Sequence, residues 1–331
     1  FIIVSFNLGW PTTLKKITTK RVGSRKRAPQ NRTLTLSRAD RTRLLPKLQT
    51  ELPKRKRKKP FTGVALGDYK DWVTFLPSAS VDLLILDPPY NLTKSFGSLR
   101  FKARAEQDYT RWLDDVIQTN LPVLKPTASI YLCGDWKTSL SIVEVAQKYF
   151  HIRNRITWER EKGRGAKTNW KNAHEDIWFC TMGKQYTFHV DQVKHRRPVI
   201  APYRHEDGSP KDWDENQNGN FRDTHPANFW NDLSIPFWSM PENTDHPTQK
   251  PEKLLAKLIL ASSNEGDLVL DPFGGSGTTA VVAQKLKRKF LSIDLNKQYC
   301  LWTLKRLEQA KVAPSIQGYV DGVFWQRNSG K

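Results

Sequence analysis

Val81-Asp82-Leu83-Leu84-Ile85-Leu86-Asp87-Pro88-Pro89-Tyr90 is a short apolar run that ends on an acid, two prolines and an aromatic ring. A run of this length and composition reads as a strand buried on both faces, which belongs in a parallel sheet covered by helices. A second stretch of the same build lies far downstream. Leu268-Val269-Leu270-Asp271-Pro272-Phe273-Gly274-Gly275-Ser276-Gly277-Thr278-Thr279 is a strand running into a glycine turn and then a helix. Between and around the two, strands alternate with helices. Strands are expected at 63–66, 129–133, 152–158, 176–181, 267–271 and 289–294, and helices at 69–76, 108–124, 137–149, 251–262, 278–287 and 297–310. Pro126 is expected to stop the second of these helices, Pro251 to fall in the first turn of the fourth, and residues 91–105 to form a loop. The alternation predicts an α/β, doubly wound, mostly parallel sheet.

The formal net charge of +21 is concentrated at the start of the 331 residues. Residues 1–60 hold 18 Lys or Arg against only Asp40 and Glu51, a net of +16, and end in Pro53-Lys54-Arg55-Lys56-Arg57-Lys58-Lys59-Pro60. Like-charge blocks repel and stay disordered, and beside a nucleic acid they bind phosphate through counterion release. The expectation is a disordered basic arm, either a phosphate-binding tether or a solvated tail. Cys133, Cys180 and Cys300 are far apart and lack metal-ligand spacing, so no metal site or disulfide framework is expected, and a reducing cytoplasm fits. No run reaches transmembrane length, and the mildly apolar start is too short and wrongly flanked for a signal peptide.

The glycine turn lacks the lysine of a phosphate-binding loop and the spacing of a dinucleotide fingerprint. Asp294 ends the next strand, where an acid can accept hydrogen bonds from ribose hydroxyls, and Asp271 ends the first, where a ligand amine would lie. Two strand-end carboxylates with Gly274, Gly275 and Gly277 between them suit S-adenosylmethionine, which has an amine and a ribose but no phosphate, better than a nicotinamide or flavin cofactor. At the other motif, the Asp87 carboxylate and the Pro88 carbonyl are two acceptors that can take the two hydrogens of an exocyclic base amine and free its conjugated lone pair. The consecutive prolines, Pro88 and Pro89, fix the backbone so that these acceptors are preorganised. Tyr90 offers a π-face to a flipped base. A structural proline turn capped by Asp87 is the alternative.

Asp-Pro-Pro-Tyr at 87–90, a long variable region, His246-Pro247-Thr248-Gln249-Lys250-Pro251 and then the glycine strand, in this order, resemble the β-class amino-methyltransferases of bacterial restriction–modification systems. The resemblance covers residues 61–310. It implies a circularly permuted S-adenosylmethionine-dependent fold with a seven-stranded sheet, and a target amine held by Asp87, Pro88, Pro89 and Tyr90. It also implies that the glycine turn, Asp271 and Phe273 bind the methionine end of the cofactor and Asp294 its ribose. Asp68 would lie near the adenine, and Thr248, Gln249 and Lys250 would help bind the cofactor carboxylate ahead of a helix N-terminus. An Asp at the first motif position goes with adenine N6 in this family, and Ser with cytosine N4.

The resulting division is an arm at 1–60, a catalytic half at 61–184, a target-recognition region at 185–245, a cofactor half at 246–312 and a C-terminal tail at 313–331. The recognition region is rich in His, Arg, Asn and Trp, which suits phosphate and base-edge contacts, and the basic loop 160–167 also reads as DNA-facing. His174-Glu175 lacks a third metal ligand and reads as structural. The expected activity is methylation of adenine N6 in double-stranded DNA. Cytosine N4, an RNA or protein amine, and a DNA-binding protein with a degenerate pocket remain as alternatives. A cognate restriction endonuclease and a homodimer belong to the same expectation.

Overall fold

The computed structural model describes residues 27–56, 58–96, 99–160, 168–199, 203–216 and 219–325. Helix α1 (Arg38–Leu44) precedes β1 (Gly63–Leu66), α2 (Tyr69–Val73) and β2 (Val81–Leu86). A hairpin of β3 (Lys94–Phe96) and β4 (Leu99–Phe101) leads to α3 (Glu106–Asn120), β5 (Leu124–Gly134), α4 (Thr138–Tyr149), β6 (His151–Glu159) and β7 (His174–Thr181). The short strands β8 (His195–Pro198), β9 (Asp214–Asn216), β10 (Gly219–Thr224) and β11 (Phe229–Trp230) follow. The chain then runs through α5 (Glu252–Ser262), β12 (Leu268–Asp271), α6 (Thr278–Lys285), β13 (Lys289–Asp294), α7 (Lys297–Val312), β14 (Tyr319–Val320) and β15 (Val323–Trp325).

The main sheet has the order β1-β13-β12-β2-β5-β7-β6-β11, with β7 antiparallel to β5 and β6 and the other neighbours parallel. Eight strands stand where seven were expected, because two residues of the recognition region, Phe229 and Trp230, add to the edge strand β6. Alternation along β2 sends Leu84 and Leu86 into one apolar cluster and Leu83 and Ile85 into the other. Trp72 of α2, Leu113 of α3 and Val145 of α4 fill the first layer, and Leu254 and Leu258 of α5 with Val282 of α6 fill the second. Burial on both faces is why these strands are continuously apolar. The registers Leu66↔Asp294, Asp271↔Ser292 and Leu270↔Leu84 bring the C-terminal ends of β1, β13, β12 and β2 to one edge of the sheet. Open α/β sheets bind their ligands at that edge.

Several elements depart from expectation. Helix α3 stops at Asn120 because Pro122 turns the chain into a tight 3₁₀ turn, Leu121–Val123. Pro126 lies instead in β5, beside the irregular register between Val81 and Leu83 where a missing N–H is tolerated. Pro251 is the extended N-cap of α5 rather than part of its first turn. The expected loop 91–105 contains the hairpin β3–β4, clamped at its base by Asn91, which donates to Arg104 O at 2.9 Å and accepts from Arg104 N at 2.7 Å.

The basic arm is not wholly a disordered tether, although residues 1–26 lie outside the described residues. Ser37 and Asp40 form a reciprocal capping box that starts α1, and Leu44 and Leu48 are buried with Leu301 and Leu304 of α7. Arg43 and Lys47 pair with Glu308 of α7, so part of the basic charge is spent on folding. Arg32 N donates to Trp238 O at 2.6 Å and Leu34 N to Asn243 O at 2.8 Å, which straps the segment ahead of His246.

Of the expected C-terminal tail, residues 313–325 are described, and they pack against the body of the protein. Phe324 pairs with His195 and Trp325 with Arg196, so β14 and β15 complete a second sheet, β14-β15-β8-β10-β9, with strands of the recognition region. Asp232 of that region accepts from Lys257 of α5 and lies within ion-pair distance of Lys253 and His195 in a buried cluster against Phe324. Phe324 is fully buried, so Phe324→Ala should cost about 3–5 kcal/mol. Thermal unfolding checks this: a Tm unchanged from the parent would show that the C-terminal strand is not integral.

Candidate active site

Four strand ends carry four acids in a row: Asp68 after β1, Asp294 at β13, Asp271 at β12 and Asp87 after β2. Asp68 caps α2 by accepting from Lys70 N at 3.0 Å. Asp294 accepts from Gly275 N at 2.9 Å and Asn296 N at 2.7 Å, which ties the glycine turn to the end of β13. Burial raises its carboxyl to about 6, against the pull of those two N–H groups. Asp271 accepts from Phe273 N at 3.1 Å, and burial raises it to about 7 in spite of hydrogen bonds from Thr279 and Phe273. Among the described residues no ion pair engages either acid. The Phe273 ring is seated against Tyr69 and Trp112, at centroid distances of 5.1 and 6.1 Å.

The glycines of the turn have a packing reason. A Cβ on Gly274 would overlap Ser292 Oγ, and one on Gly277, whose φ is +76°, would stand 2.6 Å from Thr303 Cβ. Gly275 has φ +52° and faces His246. The turn needs glycine to lie flat on β13 and α7 and to take up left-handed backbone. Arg306 of α7 then donates to Ser276 O at 2.9 Å and Thr278 Oγ1 at 3.0 Å, and Thr278 Oγ1 donates to Lys250 O at 3.0 Å. The turn and the His246–Pro251 segment are thereby one unit.

The Lys250 Nζ lies 2.8 and 2.7 Å from the two Asp87 oxygens, 3.1 Å from Tyr90 OH and 3.3 Å from Glu175 Oε2, so its present partners are the groups at the end of β2. Lys250 immediately precedes α5 across from the end of β2, so its stem crosses the interior instead of following the helix N-terminus. Burial opposes its charge, but Asp87 and Glu175 hold it above the usual lysine range. Gln249 is also turned inward, accepting from Thr244 N at 2.9 Å and donating to Glu242 O at 2.7 Å, so it braces the segment. Thr248 is partly buried, with its N–H 3.4 Å from His246 Nδ1. Tyr109 OH donates to Pro89 O at 3.2 Å and steadies the proline pair.

Glu175 and Arg160 were missed as site residues. Glu175 accepts Tyr90 OH at 3.0 Å and pairs with Arg160, so Arg160 is committed to this network rather than to a DNA-facing loop. Residues 161–167 of that loop lie outside the described residues. Two adjacent acids, Glu175 and Asp176, at the start of a strand that continues Ile177-Trp178-Phe179 are rare without partners, and that signal could have singled Glu175 out. Burial would raise its carboxyl, but Lys250 and Arg160 hold it below the usual range.

The DNA methylase family matches residues 81–305, and a DNA adenine methyltransferase of Escherichia coli, YhdJ, is 36% identical over 75% of this chain and 82% of its own. The chain belongs to the DNA methylase family. The methylase also shares its fold with the cytosine-N4-specific PvuII DNA methyltransferase (TM-score 0.56, 17% identity, 79% of this chain and 94% of that one). The same holds for M1.HpyAVI, solved as a complex with SAM (TM-score 0.51, 21% identity, 75% of this chain and 99% of that one). Both structural likenesses concern the fold alone. Among the described residues of the methylase no helix is long and apolar enough to cross a membrane.

Proposed function

We propose that this methylase transfers a methyl group from S-adenosylmethionine to the N6 amine of an adenine flipped out of double-stranded DNA. The observation that carries the reading is the Asp87 carboxylate, 23% exposed and held from behind by a lysine that is only 9% exposed. It presents an anchored acceptor outward from the sheet edge. The relative named as an adenine methyltransferase, 36% identical, supports adenine as the base.

The donor set suits the cofactor. Asp271 is a buried carboxylate and Asp294 a half-buried one that no described cation neutralises, and a ligand bringing an ammonium, a sulfonium and ribose hydroxyls supplies what they lack. We assign Asp271, Phe273 and the turn Gly274, Gly275 and Gly277 to its methionine end, Asp294 to its ribose, Asp68 to the adenine side and Thr248 to its carboxylate. When bound, the cofactor supplies an electrophilic methyl group. Asp87 and the Pro88 carbonyl would accept the two N6 hydrogens and free the nitrogen lone pair for the methyl group that the cofactor would supply. Asp87 then takes the proton that the methylated nitrogen sheds. Tyr90 backs the base, and the 185–245 region with β14 and β15 reads the target. The buried, unpaired state of Cys133, Cys180 and Cys300 supports work in a reducing cytoplasm.

Transfer of labelled methyl from S-adenosylmethionine to duplex DNA, structured RNA and a lysine-rich protein tests the substrate class. Label in DNA alone supports the reading, and label confined to RNA or protein overturns it. Cofactor affinity should also depend on pH. Asp271 at about 7 and Asp294 at about 6 are raised, so their neutral forms persist to higher pH and cofactor binding must ionise them. Affinity should therefore weaken as pH falls from 8 to 5, roughly tenfold per unit once a single such proton is taken up. Asp271→Asn should flatten the upper part of that profile in calorimetric titration.

A further inference from the structure

Tyr90 OH lies between two carboxylates, 3.2 Å from Asp87 Oδ1 and 3.0 Å from Glu175 Oε2, and has one proton to donate. Lys250 Nζ has three protons, and three residues face it: Asp87, Tyr90 and Glu175. Glu175 is 4% exposed and Arg160 pairs with its other oxygen, so the group holds two anions and two cations. Of the two carboxylates, Asp87 is the more open, with 23% of its side chain exposed. A carboxylate has about four lone-pair positions, so the proton that Glu175 accepts from Tyr90 leaves one of those on Asp87 uncommitted.

We infer that Glu175 is a positioning residue for methyl transfer: by taking the Tyr90 proton, while Tyr90 in turn accepts the third Lys250 N–H, it keeps the outward lone pairs of Asp87 open to the target amine. The inference rests on the reading of Asp87 as the amine acceptor. Without Glu175, Tyr90 turns its proton to Asp87 and Lys250 settles more fully on the same oxygens. The acceptor is then occupied before the base arrives. Binding of cofactor and DNA does not depend on this, because the glycine turn, Asp271 and Asp294 lie on other strands.

The test is steady-state and single-turnover methylation by the full chain carrying Glu175→Leu with Arg160→Leu, which removes the buried pair together and strands neither charge. The expected result is a kcat lower by about 30-fold, with cofactor Kd and DNA KM within about threefold of the parent. Adding Tyr90→Phe to that variant removes the competing proton and should restore kcat by about threefold or more. Glu175→Gln, which keeps shape and strands less volume, should show the same split with a smaller loss. An unchanged kcat, an equal loss of cofactor affinity, or no recovery on adding Tyr90→Phe overturns the inference. If the unsubstituted chain transfers no methyl group to DNA, the proposed function fails instead, and the two failures are told apart by that control.

Discussion

Asp87→Ala should lower the methyl-transfer rate by about a thousandfold while cofactor affinity stays within about threefold. The size follows from what is lost. The carboxylate is the anchored acceptor, with Lys250 2.8 and 2.7 Å from its oxygens, and the backbone carbonyl of Pro88 alone cannot hold both amine hydrogens. Lys250 keeps Glu175 and Tyr90 as partners after the change, so the site is not left with a stranded cation. The cofactor groups stand on β12 and β13 and do not share a hydrogen bond with Asp87. Asp87→Asn should fall nearly as far, because its amide presents hydrogens on one side where acceptors are needed. Single-turnover transfer and calorimetric cofactor titration separate the two effects. Retained turnover with lost cofactor affinity would remove Asp87 from the chemistry.

Gly277→Ala is expected to abolish the cofactor site from within. Its φ of +76° costs a non-glycine residue about 1–2 kcal/mol, and overpacking against Thr303 adds about 1–3 kcal/mol. The new Cβ would stand 2.6 Å from Thr303 Cβ, so trimming Thr303 to Ala cannot relieve the overlap. Gly274→Ala differs. Its overlap is with Ser292 Oγ, and the next atom, Ser292 Cβ, is at 3.3 Å, so Ser292→Gly should restore much of what Gly274→Ala removes. Cofactor affinity in Gly277→Ala should fall by about 100-fold, with a lowered Tm. Rescue of Gly277→Ala by Thr303→Ala would show that the turn has more room than the packing implies.

The strands and their terminal acids were legible because burial on both faces leaves an unbroken apolar run, and a run that ends on Asp87, Asp271 or Asp294 marks the ligand edge of the sheet. The partners of those acids were not legible. Lys250 and Asp87 are 163 residues apart and meet only because α5 begins across from the end of β2, a placement set by strand order. Glu175 was read as structural because His174-Glu175 lacks a third metal ligand; its meaning depends on β7 running antiparallel and starting at the same edge. The strand β8, His195-Arg196-Arg197-Pro198, has no apolar alternation at all, so its pairing with Val323–Trp325 left no trace in periodicity. In the arm, the repulsion of many cations masked a local signal, the Ser37–Asp40 capping box, that does start a helix.

The measurement that tests the central claim most directly is mass spectrometry of nucleosides from mixed-sequence duplex DNA incubated with the protein and S-adenosylmethionine. N6-methyladenine is expected with the unsubstituted chain and is expected to be absent with Asp87→Ala. N4-methylcytosine in its place would contradict the base assignment, and DNA left unmodified by a chain shown to bind the cofactor would contradict the proposed activity.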